Sequence, residues 1–351
     1  MSVFSATSDP YLVAAQWVGS IALALTLTLA AVIVLLRLRL QRQERRWSKF
    51  VERWRPLLLA MMMMPDEPPT LPALSRAERT LFLRLWVYLH ESVRGAVADQ
   101  LNQAARVLEI DHTARQLLVR GSRAERLQAV LTLGYLRDGT AWAALLKLAR
   151  HADGLLSVNA ARALIQIDAF RGAETLMPLI LSRNDWDVSR VAAFLAEARE
   201  AFWLLLVRQL PTLQAGELPR ALRLADALRL KLPATAVRGL LQPGQPAPVV
   251  QAALRLLNPG DLPHELRACL RHPEPLVREQ AAHQLGQQAT PADIPALTEL
   301  LADPSWEVRM GAARALAQQP FMSAGQLTAL QGPDNPSNDV LRHVLAERAW
   351  E

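Results

Sequence analysis

Residues 303–317, DPSWEVRMGAARALA, repeat the pattern of residues 272–286, HPEPLVREQAAHQLG. Each stretch has a Pro after its first residue, a Val-Arg pair, two Ala starting four residues beyond the Val, and a Leu eight residues beyond it. The two valines, Val277 and Val308, are 31 residues apart. Counted from the Val as position zero, positions zero, four and eight lie on one face of a helix. Small Ala residues on that face let the helix approach a neighbour closely. The pattern therefore predicts two stacked helices of a repeat.

The same spacing extends along most of the chain. Weaker copies begin at Val93, Glu125, Leu156, Val188, Leu218 and Val249, and a degenerate copy begins at Val340. Successive copies are 28 to 32 residues apart, and a second helix fits between them, for example ADIPALTELLA at residues 292–302. Single helix pairs cannot bury their apolar faces, whereas stacked pairs build a continuous core. Since no segment shows strand-type alternation, we predict an all-α fold.

The pattern D-P-x-x-x-V-R-x-x-A-A-x-x-L at residues 303–316 resembles a bacterial HEAT repeat, and the resemblance extends over roughly residues 80–350. It implies a HEAT-repeat α-solenoid, a right-handed superhelix of antiparallel helix pairs with an extended concave surface. It also implies that the repeated Arg pairs with the acidic residue of the preceding turn, which is Asp303 for Arg309. Residues 199–247 keep the period but lose the signature.

An uncharged segment of 25 residues, 12–36, precedes the repeats. As a helix it is about 37 Å long, which exceeds the ~30 Å hydrocarbon core of a bilayer. Residues 37–55 follow with eight basic and two acidic side chains, so this stretch alone accounts for the net charge of +6. We predict one transmembrane helix with the N-terminus outside and the repeats in the cytoplasm, at the bacterial inner membrane. A cleaved signal peptide is the alternative, but it would have a basic start and a shorter apolar core.

The basic stretch also carries an apolar stripe at Trp47, Phe50, Val51, Trp54 and Leu58. This pattern is typical of a helix in the headgroup region or one packed on another membrane protein. A solvated continuation of the transmembrane helix is the alternative. The residues predicted to contact the membrane surface are Arg37, Arg39, Arg42, Arg45, Arg46, Trp47, Lys49, Arg53, Trp54 and Arg55.

The Pro-rich stretch PDEPPTLP breaks any helix and indicates a linker. The predicted organisation is a short extracytoplasmic N-terminus (1–11), a transmembrane helix (12–36), a basic amphipathic segment (37–64), the linker (65–72) and a HEAT-repeat domain (73–351).

Arg and Trp residues are the candidates for partner binding. Arg278 and Arg309 fit either an anion-binding ladder or ion pairs within the fold. Trp186 and Trp306 each lie in a turn before a repeat's second helix, where they are either presented to a partner or buried between repeats. Arg190 is among the second-helix arginines that could line the concave face, the others being Arg126, Arg162, Arg223, Arg255 and Arg314.

No residue pattern indicates catalysis. His264, Cys269 and His272 fall within nine residues, but Cys269 lies off the helical face of the two His, and a fourth ligand is missing. The single Cys excludes an internal disulfide framework and agrees with a reducing compartment. The sequence contains no H-x-x-x-H, G-x-S-x-G, G-x-x-x-x-G-K or G-x-G-x-x-G motif. We therefore expect no enzyme activity, metal or cofactor.

These observations favour a non-enzymatic scaffold. We expect a membrane-tethered solenoid that binds a protein partner, with envelope-assembly complexes among the candidates. Neither nucleic acid nor a small-molecule substrate is expected. One alternative is a HEAT-like nucleic-acid-binding protein or DNA glycosylase, which the neutral charge balance outside residues 37–55 disfavours. The other is a phycobilin-lyase-like HEAT enzyme, which the chain resembles only in its fold.

Overall fold

The computed structural model describes residues 10–63, 69–287, 290–332 and 337–349. Residues 1–9 of the predicted N-terminal segment and residues 65–68 of the predicted linker lie outside these described residues. Within the described ranges the secondary structure is helical, with no strand. The α-helices, in chain order, are α1 (Pro10–Met63), α2 (Glu78–Glu91), α3 (Ala96–Val107), α4 (Ile110–Arg120), α5 (Arg123–Tyr135), α6 (Trp142–Ala149), α7 (Gly154–Ile167), α8 (Ala169–Ser182), α9 (Val188–Leu195), α10 (Arg199–Gln209), α11 (Leu218–Ala227), α12 (Ala234–Val237), α13 (Ala247–Arg255), α14 (Pro263–Cys269), α15 (Pro275–Gly286), α16 (Ile294–Glu299), α17 (Trp306–Ala317), α18 (Ala324–Ala329) and α19 (Asn338–Ala349). Short 3₁₀ helices are Gly139–Ala141, Ala196–Ala198, Leu210–Thr212, Arg238–Leu241, Pro291–Asp293 and Leu300–Ala302.

The all-helical prediction is confirmed for the described part of the chain. The predicted repeat copies coincide with the odd-numbered helices α5 to α19, each of which contains the residue at which its copy begins. The first copy is displaced, because α3 begins at Ala96, three residues after Val93. The repeat period therefore located eight of the nine helices directly.

The chain divides into two compact units, residues 1–132 and 133–351, and the boundary lies within α5. In the first unit, α1 packs against α2 and α3. The contact is made by Phe50, Trp54 and Leu58, which are at most 4% exposed. The Trp54 ring meets the Phe82 ring edge to face at 5.2 Å between centroids, a favourable aromatic geometry. The last turns of α1 are thus part of the first unit's core.

One of the predicted membrane-surface residues, Trp54, is corrected by this packing. Trp54 is 1% exposed, so its ring is covered by the chain itself and cannot lie at a membrane surface. Trp47 is partly covered, with the Arg84 guanidinium 4.4 Å from its ring centroid. The apolar stripe of the basic stretch therefore serves an intramolecular interface. The eight basic residues of this stretch remain exposed.

The apolar part of α1 is uncovered. From Ile21 to Leu40 every large apolar residue whose side chain is described is exposed, for example Leu25 at 70%. Among the described residues one helix is long and apolar enough to cross a membrane, and it is α1. The predicted scheme separates residues 37–64 from residues 12–36, whereas α1 continues through both without a break.

The second unit is a row of stacked repeats. Successive odd-numbered helices from α7 to α19 pack side by side, and α6, α8, α14, α16 and α18 pack against this row. The spacing between α15 and α17 is small, because a Cβ added at Gly286 would lie 2.7 Å from the Ala315 Cβ. These features support the predicted α-solenoid.

The region that loses the repeat signature has a different first helix. Between α11 and α13 the chain forms only the four-residue α12 and a 3₁₀ helix. Arg220 of α11 is 5% exposed and donates to the Ile180 carbonyl at 2.5 Å and the Trp186 carbonyl at 2.6 Å. Burial lowers the pKa of its guanidinium. A buried charged side chain thus ties α11 to the preceding repeat.

Candidate protein-binding groove

A groove of about 750 Å³ crosses four neighbouring helices of the second unit, α11, α13, α15 and α17. Because these are second helices of successive repeats, the groove lies on the face that the repeat pattern assigned to Arg255 and Arg314. Its lining residues are Asp226, Lys231, Arg255, Leu276, Glu279, Gln280, His283, Gln284, Gln287, Trp306, Glu307, Met310, Gly311, Arg314 and Gln318.

The repeat geometry aligns these side chains. On α15, Leu276, Glu279, Gln280 and His283 follow the spacing that places residues on one helical face. A Cβ added at Gly311 would lie 3.1 Å from the Glu279 Cγ, and the Gly286–Ala315 approach is near the other end of the helices. Residues about 30 positions apart therefore face each other along the whole pair, so α15 and α17 run parallel.

One end of the groove is apolar and acidic. Leu276 and Trp306, near the N-termini of α15 and α17, are 48% and 49% exposed. Glu279 and Glu307 line the same end. The Glu307 carboxylate accepts a hydrogen bond from the Ser305 hydroxyl at 2.6 Å, which lowers its pKa. This end therefore combines two uncovered apolar side chains with negative charge.

The opposite end is basic, but its charges have partners. Arg255 lies 3.6 Å from the Asp226 carboxylate and donates to Gln280 Oε1 at 3.3 Å. Arg314 pairs with Glu347 at 2.9 Å. The Lys231 ammonium donates to the Arg255 carbonyl at 2.8 Å. The three basic and three acidic residues of the groove balance, so it does not present the net positive charge that binds a polyanion.

Buried amides form the floor between the two ends. Gln280 and Gln284 are 9% and 4% exposed. The side-chain oxygen of Gln284 has no hydrogen-bond partner among the described residues, although buried polar atoms nearly always have one. A groove floor of this kind can accept hydrogen bonds from a polar group that enters it.

The structure separates the two predicted Trp candidates. Trp306 is half exposed at the groove, which is compatible with partner contact. Trp186 is 1% exposed, and its indole N–H donates to the Ser157 hydroxyl at 2.9 Å. The prediction that Trp186 is presented to a partner is therefore wrong, because its ring lies in the core between repeats.

The predicted arginine partner of Asp303 is also corrected. Arg278 of the preceding repeat, and not Arg309, forms the ion pair, with Nε–Oδ2 and Nη2–Oδ1 distances of 2.7 and 2.8 Å. Arg309 donates instead to the backbone carbonyls of Asp303 at 2.9 Å and Pro304 at 3.2 Å. Burial opposes ionisation of Asp303, but hydrogen bonds from Arg278 and from the Ser305 N–H outweigh it, so its pKa is lowered. Both arginines are thus engaged within the fold.

The remaining second-helix arginines do not form one surface. Arg190 is exposed on α9, and its backbone N–H is capped by Asp187. Arg162 lies over the Tyr135 ring at 5.7 Å, and Arg223 donates to its own helix at the Pro219 carbonyl. Arg126 belongs to the first unit.

The His and Cys residues form no metal centre in the part of the chain that the structure describes, where no three His, Cys, Asp or Glu side chains are grouped to hold an ion. Cys269 is 4% exposed, and burial, with a contribution from Glu265, raises the pKa of its thiol to about 11. The thiol is therefore protonated at neutral pH and poorly reactive.

Several groove residues were missed by the sequence analysis. Leu276, Glu279, Gln280 and Gln284 were not singled out, although each occupies a repeat position on the same face as Arg255 or Arg314. Aligning the 31-residue copies pairs Leu276 with Glu307 and His283 with Arg314. That alignment was the signal that could have identified the groove.

Comparison with known proteins agrees with the repeat architecture. Residues 262–348 match the family described as HEAT repeats, a range that contains α14 to α19. No curated protein matches the chain. Among solved structures, human deoxyhypusine hydroxylase in complex with glycerol is similar, at 16% identity and a TM-score of 0.29, over 87% of this chain and 98% of that one. An engineered protein is similar at 17% identity and a TM-score of 0.23, over 68% of this chain and 96% of that one. These TM-scores are low, and no conclusion about this chain rests on either likeness. The family match and the all-helical repeats together support a HEAT-repeat protein.

Proposed function

We propose that this chain is a non-enzymatic scaffold that is tethered to a membrane by α1 and holds a protein partner in the groove of its second unit. The observation that carries the proposal is the pair of half-exposed apolar side chains, Leu276 and Trp306, at one end of that groove. Trp side chains such as Trp306 are among the residues that contribute most of the binding energy of protein interfaces when a partner covers them.

Membrane tethering is supported by the uncovered apolar part of α1. Side chains such as Leu25 and Leu29 are more than half exposed, which is costly in water over so long a stretch. The eight exposed basic residues between positions 37 and 55 follow directly. Such residues are retained on the cytoplasmic side of a membrane and are attracted to anionic lipids. We therefore place the repeats in the cytoplasm at a bacterial inner membrane.

A tether favours partners that are themselves near the membrane. Confinement raises the local concentration of both molecules, so a weak contact at the groove suffices for stable association. Neighbouring membrane proteins and envelope-assembly complexes are the partner classes that fit this arrangement.

Site-specific photo-crosslinking tests the groove. A photoreactive amino acid replaces Leu276 in the full chain, and a second version carries it at Phe170, which is 50% exposed on α8 outside the groove. We expect a distinct protein crosslinked from Leu276 and lost on Trp306→Ala. Equal crosslinking from the two positions would contradict a groove-specific partner.

The tether is tested by removing residues 1–36 only, because a longer deletion would remove Phe50 and Trp54 from the core of the first unit. We expect the full chain to stay in the membrane fraction after a carbonate wash and the shortened chain to be released. A C-terminal reporter fusion that is active outside the cytoplasm would overturn the orientation.

A further inference from the structure

We propose that the Trp306 end of the groove binds a Lys or Arg side chain of the partner that is flanked by a bulky apolar residue. The inference rests on the proposed function and specifies the chemistry of the partner segment. It commits to a protein segment other than a second copy of this chain.

The carboxylates along the groove differ in whether a cationic side chain of the chain pairs with them. Asp226 and Glu347 have guanidinium partners, Arg255 and Arg314 respectively. Glu279 and Glu307, in contrast, form no ion pair within 4 Å among the described residues, although Arg309 acts on Glu307 at longer range, and both line the groove. The carboxylates still open to a ligand thus lie at the Leu276–Trp306 end, which attracts a cation and repels an anion.

An exposed aromatic ring lies in the same groove as these carboxylates. A cation over the face of an indole is stabilised by the ring quadrupole, and Trp is the best aromatic residue for this contact. Trp306 is half exposed and lines the same groove as Glu279 and Glu307, so its ring and these carboxylates are available to one incoming group. The chain uses the same chemistry internally, since Arg171 lies 4.3 Å from the Trp142 ring centroid.

Exposed apolar side chains at this end indicate which residue accompanies the cation. Leu276 and Trp306 are 48% and 49% exposed at this end. A free inorganic cation or a small amine would leave these apolar groups in water. A Lys or Arg next to a bulky apolar residue covers them and gains the corresponding hydrophobic free energy.

Panning of a phage-displayed random peptide library on the full chain in detergent micelles tests this chemistry. Three proteins are compared: wild type, the double variant Glu279→Gln/Glu307→Gln, and the control Glu91→Gln/Glu197→Gln. The control removes the same charge from exposed positions outside the groove. Circular dichroism verifies that all three are folded.

We expect wild type and control to enrich peptides with Lys or Arg beside a bulky apolar residue. The groove variant should lose this preference and bind the enriched peptide about tenfold more weakly. Trp306→Ala should weaken it comparably. Unchanged affinity of the groove variant, or enrichment of peptides without a basic residue, would overturn the inference while leaving a groove-binding scaffold intact.

Two other results would contradict more than the charge preference. If no peptide binds wild type above background and Leu276 crosslinks no protein, the proposed function fails together with this inference. If crosslinks from Leu276 join only two copies of this chain, the groove is a self-association surface, and the assignment of a different partner is wrong.

Discussion

Removal of the Asp303 carboxylate should loosen the junction between α15 and α17. The side chains of Arg278 and Asp303 are 12% and 7% exposed, and two short hydrogen bonds join them across the repeats. Asp303 Oδ1 also accepts from the Ser305 N–H at 2.9 Å, at the start of α17. Asp303→Ala would leave the Arg278 guanidinium largely buried with no carboxylate.

The loss of stability caused by Asp303→Ala can be estimated from the burial of this ion pair. Loss of one partner of a buried ion pair costs about 3–5 kcal/mol, and since Arg278 keeps its bonds to the carbonyls of His272 and Pro273, we expect the lower figure, about 3 kcal/mol. Each 1.4 kcal/mol is a factor of ten, so local opening should become about 10²-fold more frequent.

Hydrogen exchange with mass spectrometry on the full chain in detergent measures this opening in individual helices. Amides of α15 and α17 should exchange about 10²-fold faster in Asp303→Ala. Glu347→Ala is the matched control, because its pair with Arg314 is about half exposed and such pairs contribute about 0–1 kcal/mol. Equal acceleration by both substitutions would refute the assignment of stability to the buried pair.

The same carboxylate gives a pH dependence of known sign. The pKa of Asp303 is lowered in the folded chain, so its stabilisation is complete above the ordinary carboxyl pKa of about 3.9 and is lost as the pH falls through the lowered value. The difference in unfolding free energy between wild type and Asp303→Asn should therefore be constant from pH 5 to 8 and narrow only below about pH 4. A difference that changes between pH 5 and 8 would show that another group is responsible.

Three further predictions concern the core. Gly286→Ala should destabilise the second unit by about 1–3 kcal/mol in denaturant unfolding, because the new methyl would meet Ala315, whereas Gly239→Ala, with open space around it, should have a much smaller effect. Trp54→Ala should cost about 3–5 kcal/mol and expose the end of α1 to limited proteolysis, since the ring is fully buried; unchanged cleavage would contradict the packing of α1 on the first unit. Cys269, buried and with its thiol pKa near 11, should react with maleimide at pH 7 only after denaturant is added, and rapid labelling of the native chain would disagree with its position.

The repeat positions were predictable because each repeat makes the same packing contacts, and these contacts require the same residue types at the same spacing. Val277 and Val308 are completely buried in equivalent places, and the Ala residues four positions on allow the close approach of α15 and α17. The first copy was displaced because Val93 precedes α3. The Val93-Arg94 pair set the predicted register, but the buried residues of α3 are Leu101, Ala104 and Ala105, which do not follow that register.

The arginine that pairs with Asp303 could not be predicted from the repeat spacing. Asp303 follows one repeat and precedes the next, so sequence distance favours Arg309, whereas the stacking of whole repeats brings Arg278 to it. The stripe of Trp47 and Trp54 shows the same limit. An amphipathic helix reveals that one face is covered, but the covering surface is supplied by Phe82 and its neighbours, which no local pattern identifies.

The unbroken course of α1 determines how the first unit would stand above a bilayer. From Leu36, the last residue of the uncharged stretch, to Trp54, anchored in the core, the helix rises about 27 Å. Because α1 is continuous over this distance, its N-terminal part, if it is embedded in a membrane as proposed, would rotate together with the first unit. A partner protein would then contact the first unit at a fixed distance from the bilayer and in a fixed orientation.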